Sequence, residues 1–366
     1  MPLSMRERMQ ACIKNDAALD RPPVALWRHF PVDDQSPETL AAATLDFQQH
    51  YAFDLVKVTP TSSFAIKDWG AADVWEGSTE GTRRYTGHPI RTPQDWEILP
   101  VLDPLTAPHL SAQLNCLRQI RAGLGPNTPL LQTVFSPLAQ AKNLAGGETL
   151  IVHLRQYPEA VLKGLQTIAE TTRRFVEAAM QTGIDGIFYA VQHAQAGLLT
   201  LDEYKTFGLP VDLKTTQPAS GLWCNLLHLH GRPVYFELVP AFASLFPIIN
   251  WHDRETSPTL AEAQKAFMGV VCGGVSQHTI VYGNAADVRE EAADSIRQTS
   301  GRRLLLGTGC VVPVIAPHGN ILAARHSVED TNEPARHFWN SQRPQTKGCP
   351  RRHHPSGNRH GQGSPV

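Results

Sequence analysis

Residues 222–274 read LWCNLLHLHGRPVYFELVPAFASLFPIINWHDRETSPTLAEAQKAFMGVVCGG. Three short apolar, β-rich runs, Leu222–Leu229, Pro247–Trp251 and Gly269–Cys272, alternate here with amphipathic runs, Phe236–Leu245 and Leu260–Ala266. Strand followed by helix followed by strand predicts a parallel sheet. The same alternation extends outward in both directions. Val24–Trp27, Asp54–Val58, Leu130–Val134, Gly186–Tyr189 and Leu304–Gly307 are further strand candidates. Helical spacing marks Glu38–Gln49, Leu110–Gly123, Leu138–Leu144, Thr149–Gln181, Leu201–Thr215 and Asn284–Thr299. Eight strands alternating with helices predict an α/β fold of the (β/α)8 TIM-barrel type. A doubly wound open sheet would carry a Gly-rich phosphate loop after its first strand, whereas this strand runs into Arg28-His29-Phe30-Pro31. Residues 69–98 break the alternation and read as a small excursion, a hairpin or cap, between the second and third strands.

Composition agrees with a folded enzyme-sized chain. The 366 residues are 42% hydrophobic and 18% charged, with a net charge of −1, which excludes a wholly disordered chain and gives no nucleic-acid footprint. No run approaches the ~18 unbroken apolar residues of a membrane helix. The N-terminus lacks an apolar signal core and the six cysteines are scattered, so a cytoplasmic location with free or metal-ligating thiols is expected. Charge is divided unevenly: residues 331–366 carry six Lys or Arg against one Glu, and residues 1–330 carry a net −6. The domain expectation is therefore a barrel over 1–330 and a disordered basic tail over 331–366.

Metal-capable side chains gather where predicted strands end, which is where a barrel keeps its chemistry. His228 and His230 follow the fifth strand, His252 and Asp253 the sixth, Cys272 the seventh and Cys310 the eighth. Gln192 and His193 follow the fourth, and Arg28 and His29 the first. In an extended strand His228 and His230 point to one face about 7 Å apart and can converge on one ion, while Leu229 points into packing. A zinc site built on two nitrogens needs a third ligand. Cys310 is preferred because glycines precede it in GTGC, and Cys272 and His252 are its rivals. His252, His193 and Asp253 are the acid–base candidates. Arg28, His29, Gln192 and Cys272 are the candidates for lining the substrate pocket, with Arg28 holding an anionic group.

Three segments carry a family resemblance: RPPVALWRHF (21–30), YAVQHAQAGLLTLDEYKTFGLPV (189–211) and LLLGTGCVVPVIAPHGNILAA (304–324). Together they resemble motifs of the uroporphyrinogen decarboxylase superfamily, which implies a (β/α)8 barrel, a small-molecule substrate and a plausible homodimer. One branch decarboxylates a carboxylate-rich tetrapyrrole in porphyrin biosynthesis, without a cofactor, using two arginines, an Asp, a Tyr and a His. Here Arg28 matches the first arginine, Val32 stands at the second, Asp54 lies too early for the Asp, Ala145 replaces the Tyr, and the His is lost within GTGC. The other branch consists of zinc methyltransferases that move a methyl group between a corrinoid protein and a thiol. Its H-x-C…C ligand motif matches at His228 and Cys310, with His230 in place of the middle Cys. The resemblance thus implies zinc held by His228, His230 and Cys310, and a corrinoid protein as partner. Imidazole in place of thiolate adds one positive charge to the ligand set, which favours activating a hydroxyl or water over a thiol. The expected function is zinc-dependent methyl transfer to a thiol or hydroxyl nucleophile, with cofactor-free decarboxylation as the alternative.

Overall fold

The computed structural model describes residues 2–329. The basic tail expected over 331–366 lies outside the described residues. Among the described residues nine strands form: β1 (Val56–Val58), β2 (Ala72–Val74), β3 (Arg84–Gly87), β4 (Leu130–Phe135), β5 (Gly186–Val191), β6 (Leu226–Leu229), β7 (Ile248–Trp251), β8 (Val270–Val275) and β9 (Leu304–Thr308). Seven of them make one curled, all-parallel sheet in the order β1-β4-β5-β6-β7-β8-β9. The architecture is a TIM-barrel-like α/β fold.

The first expected strand behaves differently from the rest. Val24 makes only an isolated parallel bridge to Leu306. Its neighbours still join the sheet edges: Ala25 N donates to Leu306 O and Leu306 N to Pro23 O, while Asp54 N donates to Val24 O, each at 2.9 Å. A regular ladder fails because Pro22 and Pro23 have no N–H, and the Val24 N–H is taken by the Asp54 carboxylate at 2.8 Å. Asp54 is fully buried and ion-paired to Arg8 and Arg21, so it clamps the sheet seam. Arg8 arrives on helix Met5–Lys14, which the apolar periodicity did not mark. The long run expected over Thr149–Gln181 is two helices, Gly147–Gln156 and Pro158–Met180. Pro158 cannot continue the first helix but suits the first turn of the second.

Side chains alternate across the sheet. Ile187, Tyr189, Leu227, Leu229, Ile249 and Trp251 face the helix layer. Phe188, Ala190, Leu226 and Ile248 face the interior of the curl. His228 has the parity of the interior set, which points its ring inward at the carboxyl end of β6.

The excursion is the antiparallel hairpin β2–β3, followed by helix Pro93–Ile98. Its tip reaches the loop after β9, where Val314 N donates to Thr79 O at 2.7 Å. Gly81, at φ +76°, packs so closely on His29 that a Cβ would lie 2.4 Å from its Cβ. Arg83, ion-paired within the hairpin to Asp73, ties it down through Asp34 and donates to Pro31 O at 3.1 Å. The hairpin tip therefore roofs the carboxyl ends of the strands. Among the described residues no helix is long and apolar enough to cross a membrane.

Candidate metal centre

Four donor atoms converge at the ends of β6, β7 and β9, from His228, His230, His252 and Cys310, and all lie within 4.8 Å of one another. His228 Nε2 and His252 Nε2 are each 3.4 Å from His230 Nδ1. Cys310 Sγ is 3.7 Å from both His228 Nε2 and His230 Nδ1. Zinc bonds of about 2.0–2.1 Å to nitrogen and about 2.3 Å to sulfur put tetrahedral donors about 3.3–3.6 Å apart. The face made by His228, His230 and Cys310 fits those edges, and two nitrogens with one sulfur suit zinc chemically while leaving its fourth position open. The donor set therefore fits the metal that the sequence motif implies.

The orientation of His228 is dictated by Asn250. The Asn250 amide nitrogen donates to Cys272 O at 2.8 Å and Thr308 O at 3.1 Å. Its Oδ1 is thereby the acceptor for His228 Nδ1, 2.6 Å away. The proton sits on Nδ1, and the Nε2 lone pair is left for the cluster. His228 also stacks on Phe188, with ring centroids 5.2 Å apart. Gln195, which the sequence reading did not single out, braces the backbone of His230: its side-chain amide donates to His230 O at 3.2 Å. It packs against Gly231, at φ +105°, where a Cβ would overlap the Gln195 amide. Cys310 is brought in by Gly309, whose backbone lies against that of Trp251 and His252.

A cavity of about 310 Å³ opens beside this cluster, and His29, Gln192, His193, His228, His230 and Cys310 all line it. The structure does not bring Arg28, Cys272 or Asp253 there. Arg28 has the opposite strand parity to Trp27 and His29, and its guanidinium lies over Phe30 and Phe47, 5.3 and 5.6 Å from the ring centroids. Cys272 is fully buried in the sheet interior, in register with Asn250. Asp253 turns back to accept from Gly274 N at 3.1 Å. Two lysines that the sequence reading passed over, Lys57 and Lys142, line the cavity instead. The signal for Lys57 was available, as a charged residue at the centre of a buried apolar strand.

Protonation favours the same donors. Burial and the neighbouring histidines hold His228 well below the usual imidazole range. Burial, with His252 and Lys142, lowers His230 to about 4; burial, with Arg232, lowers His252 to about 4. The Cys310 thiol is pushed up by burial to about 11. At neutral pH the imidazoles are neutral and only the thiol must lose a proton when metal binds. Apparent zinc affinity is therefore expected to rise about tenfold per pH unit between about pH 6 and about pH 8. Calorimetry in buffers of different ionisation enthalpy should count one proton released; release of none would remove Cys310 from the ligand set.

A curled parallel sheet with its donors at the strand carboxyl ends defines a TIM-barrel-like protein with its site in the usual place for that fold. The chain belongs to the uroporphyrinogen decarboxylase (URO-D) family, whose model matches residues 7–331. A curated relative, a uroporphyrinogen decarboxylase from Rhodococcus opacus (strain B4), is 31% identical over 136 residues, which span 36% of this chain and 37% of the relative. Among solved structures, a methyltransferase from Methanosarcina mazei superposes with a TM-score of 0.77 at 18% identity, covering 89% of this chain and 98% of the other. A B12-independent methionine synthase from Shewanella sp. W3-18-1 gives 0.50 at 14% identity, covering 83% and 91%. At these identities the likenesses show the fold.

Proposed function

We propose that this chain is a (β/α)8-barrel enzyme of zinc-dependent methyl transfer, acting on a thiol or hydroxyl nucleophile with a corrinoid protein as methyl donor. The observation that carries the reading is the three-donor face of His228, His230 and Cys310, with the His228 lone pair directed by Asn250. Zinc, when bound there, would act as a Lewis acid that lowers the pKa of a thiol or hydroxyl and gives a nucleophile at neutral pH. The chain's own residues supply the rest. His252, neutral and 3.4 Å from His230, takes the acceptor's proton at Nε2. His193 and Gln192 line the cavity wall and orient the acceptor, and the apolar faces of Phe188 and Val311 keep water from it. His29 fixes the hairpin roof through its contact with Gly81.

The curated relative's name supports a second reading, cofactor-free decarboxylation of a tetrapyrrole. Against it stands the charge of the cavity. A substrate with many carboxylates needs several cations aimed at it. Arg28 is turned away, and the cavity's cations are Lys57 and Lys142.

The test is demethylation of methylcobalamin, followed by its absorbance, with 2-mercaptoethanol or benzyl alcohol as acceptor. Turnover that needs zinc is the expected result. His252→Ala should keep its zinc and lose about 10²- to 10⁴-fold in rate, the usual worth of a positioned general base. Zinc-independent release of carbon dioxide from uroporphyrinogen, with no use of methylcobalamin, would establish the second reading instead.

A further inference from the structure

Lys57 is the central residue of β1 and points into the curl, between Val56 and Val58 that face the helices. It is only 8% exposed. Among the described residues it has no ion pair, and its ammonium makes one hydrogen bond, to Thr59 Oγ1 at 3.2 Å. Two aromatic rings flank it: Nζ lies 4.5 Å from the Phe188 ring centroid and 6.0 Å from that of Trp27. Burial lowers the Lys57 amine to about 7, so its charge, like its unused donors, is completed only when an anion sits beside it. The neighbouring groups show the same vacancy. Trp27 Nε1, His29 Nδ1 and His193 Nδ1 are all buried, line the same cavity and have no hydrogen-bond partner. Four under-satisfied polar groups on one small cavity are rare in a folded interior, where such groups are normally paired.

We infer that Lys57 and the Trp27 indole N–H form a carboxylate-binding subsite in the cavity that the His/Cys cluster also lines, and that the substrate is a small monocarboxylate with an apolar body. As to substrate class, this rests on the methyl-transfer reading. The cavity volume, about 310 Å³, is near the lower end of the roughly 300–1,000 Å³ of small-molecule sites. Phe135, Phe188, Leu198 and Val311 supply apolar walls. Exposed Glu80 stands at the mouth and disfavours a second anionic group there. The ligand is therefore anchored at its inner end by charge and along its body by apolar contact, with its reactive end toward the metal ligands.

The probes are benzoate and benzamide, which have nearly the same shape and differ in charge. Their binding to the full-length protein is measured by calorimetry, both zinc-loaded and after chelator treatment. Benzoate should bind at least about tenfold more tightly than benzamide in both forms. Lys57→Met should erase that preference, and Trp27→Phe, which removes the indole N–H and shortens the ring while leaving an apolar wall, should reduce it several-fold. The second variant decides the matter if the first does not fold. Equal binding of the two probes, or a preference unchanged in both variants, overturns the subsite. A preference that vanishes on chelation places the carboxylate on the metal and also overturns it, leaving the metal reading intact. A Lys57-dependent preference in a protein that takes up no zinc upholds the subsite while the metal reading falls.

Discussion

His228→Ala is expected to yield a folded protein that no longer holds zinc. The substitution removes the donor whose Nε2 is 3.4 Å from His230 Nδ1 and 3.7 Å from Cys310 Sγ, and with it two of the three edges of the donor face. It also leaves Asn250 Oδ1 without its 2.6 Å partner, an unpaired buried acceptor costing about 1–3 kcal/mol. That is a tolerable fraction of the stability of a domain this size, so a melting curve should still be cooperative. Asn250→Ala provides the graded comparison. All ligands stay in place, but the His228 ring loses the group that sets its tautomer and angle. Disturbing such an outer partner typically weakens metal binding about 10- to 100-fold. Elemental analysis with chelator competition should therefore rank wild type above Asn250→Ala, and Asn250→Ala well above His228→Ala. Stoichiometric zinc retained by His228→Ala would move the metal elsewhere and remove the basis of the methyl-transfer proposal.

Gly309→Ala is expected to lose zinc with every ligand still present. A Cβ at Gly309 would lie 2.7 Å from His252 Cα and 3.0 Å from Trp251 O. Both are backbone atoms at the end of β7, and neither can swing aside as a flexible side chain would. The loop carrying Cys310 must retreat instead, at a cost of about 1–3 kcal/mol for the overpacking. Metal–ligand distances tolerate only about 0.2 Å of error, so even a small retreat of Cys310 Sγ detaches it. A drop of tenfold or more in zinc affinity is expected, together with a lower melting temperature. Gly319→Ala is the control. That residue lies in helix His318–His326 with no atom within 4 Å of the position a Cβ would take. It should leave zinc binding unchanged and stabilise the helix by up to about 1 kcal/mol. Equal zinc binding by the two variants would show that the close approach of Gly309 does not position Cys310.

Much of the sheet was legible because its strands are short apolar runs separated by helices of regular periodicity. Leu130–Val134, Pro247–Trp251 and Leu304–Gly307 fall on β4, β7 and β9 within a residue or so. Val24–Trp27 was found as an extended segment, but its place between β9 and β1 depends on Pro23 and the side chain of Asp54, a pairing 30 residues apart. Helix Met5–Lys14 was missed because its apolar face is sparse; it is held by a Ser4 capping box and by Arg8 on Asp54. The excursion was legible as a break in pattern. That its tip bonds to the loop after β9 was not, because Thr79 and Val314 make that contact through backbone atoms.

The sequence by itself determined the fold type and family motifs, and which residue types would meet at the strand ends. Period and order are local properties of a chain, and the rule that barrel chemistry gathers at carboxyl ends turns them into places. Only the tertiary structure decided which neighbours in sequence face the same cavity. Lys57 was a cation on a predicted strand and Arg28 a cation just past one, but side-chain parity and the curl of the sheet turned Arg28 onto Phe30 and Phe47 and Lys57 toward Phe188. His252 and Asp253 are adjacent, yet one joins the ligand cluster and the other folds back on Gly274. The physical reason is that alternate side chains of a strand point to opposite faces, and a loop residue just past its end keeps no such rule. Its direction is set by whichever backbone or side chain the curled sheet brings within hydrogen-bond or van der Waals reach.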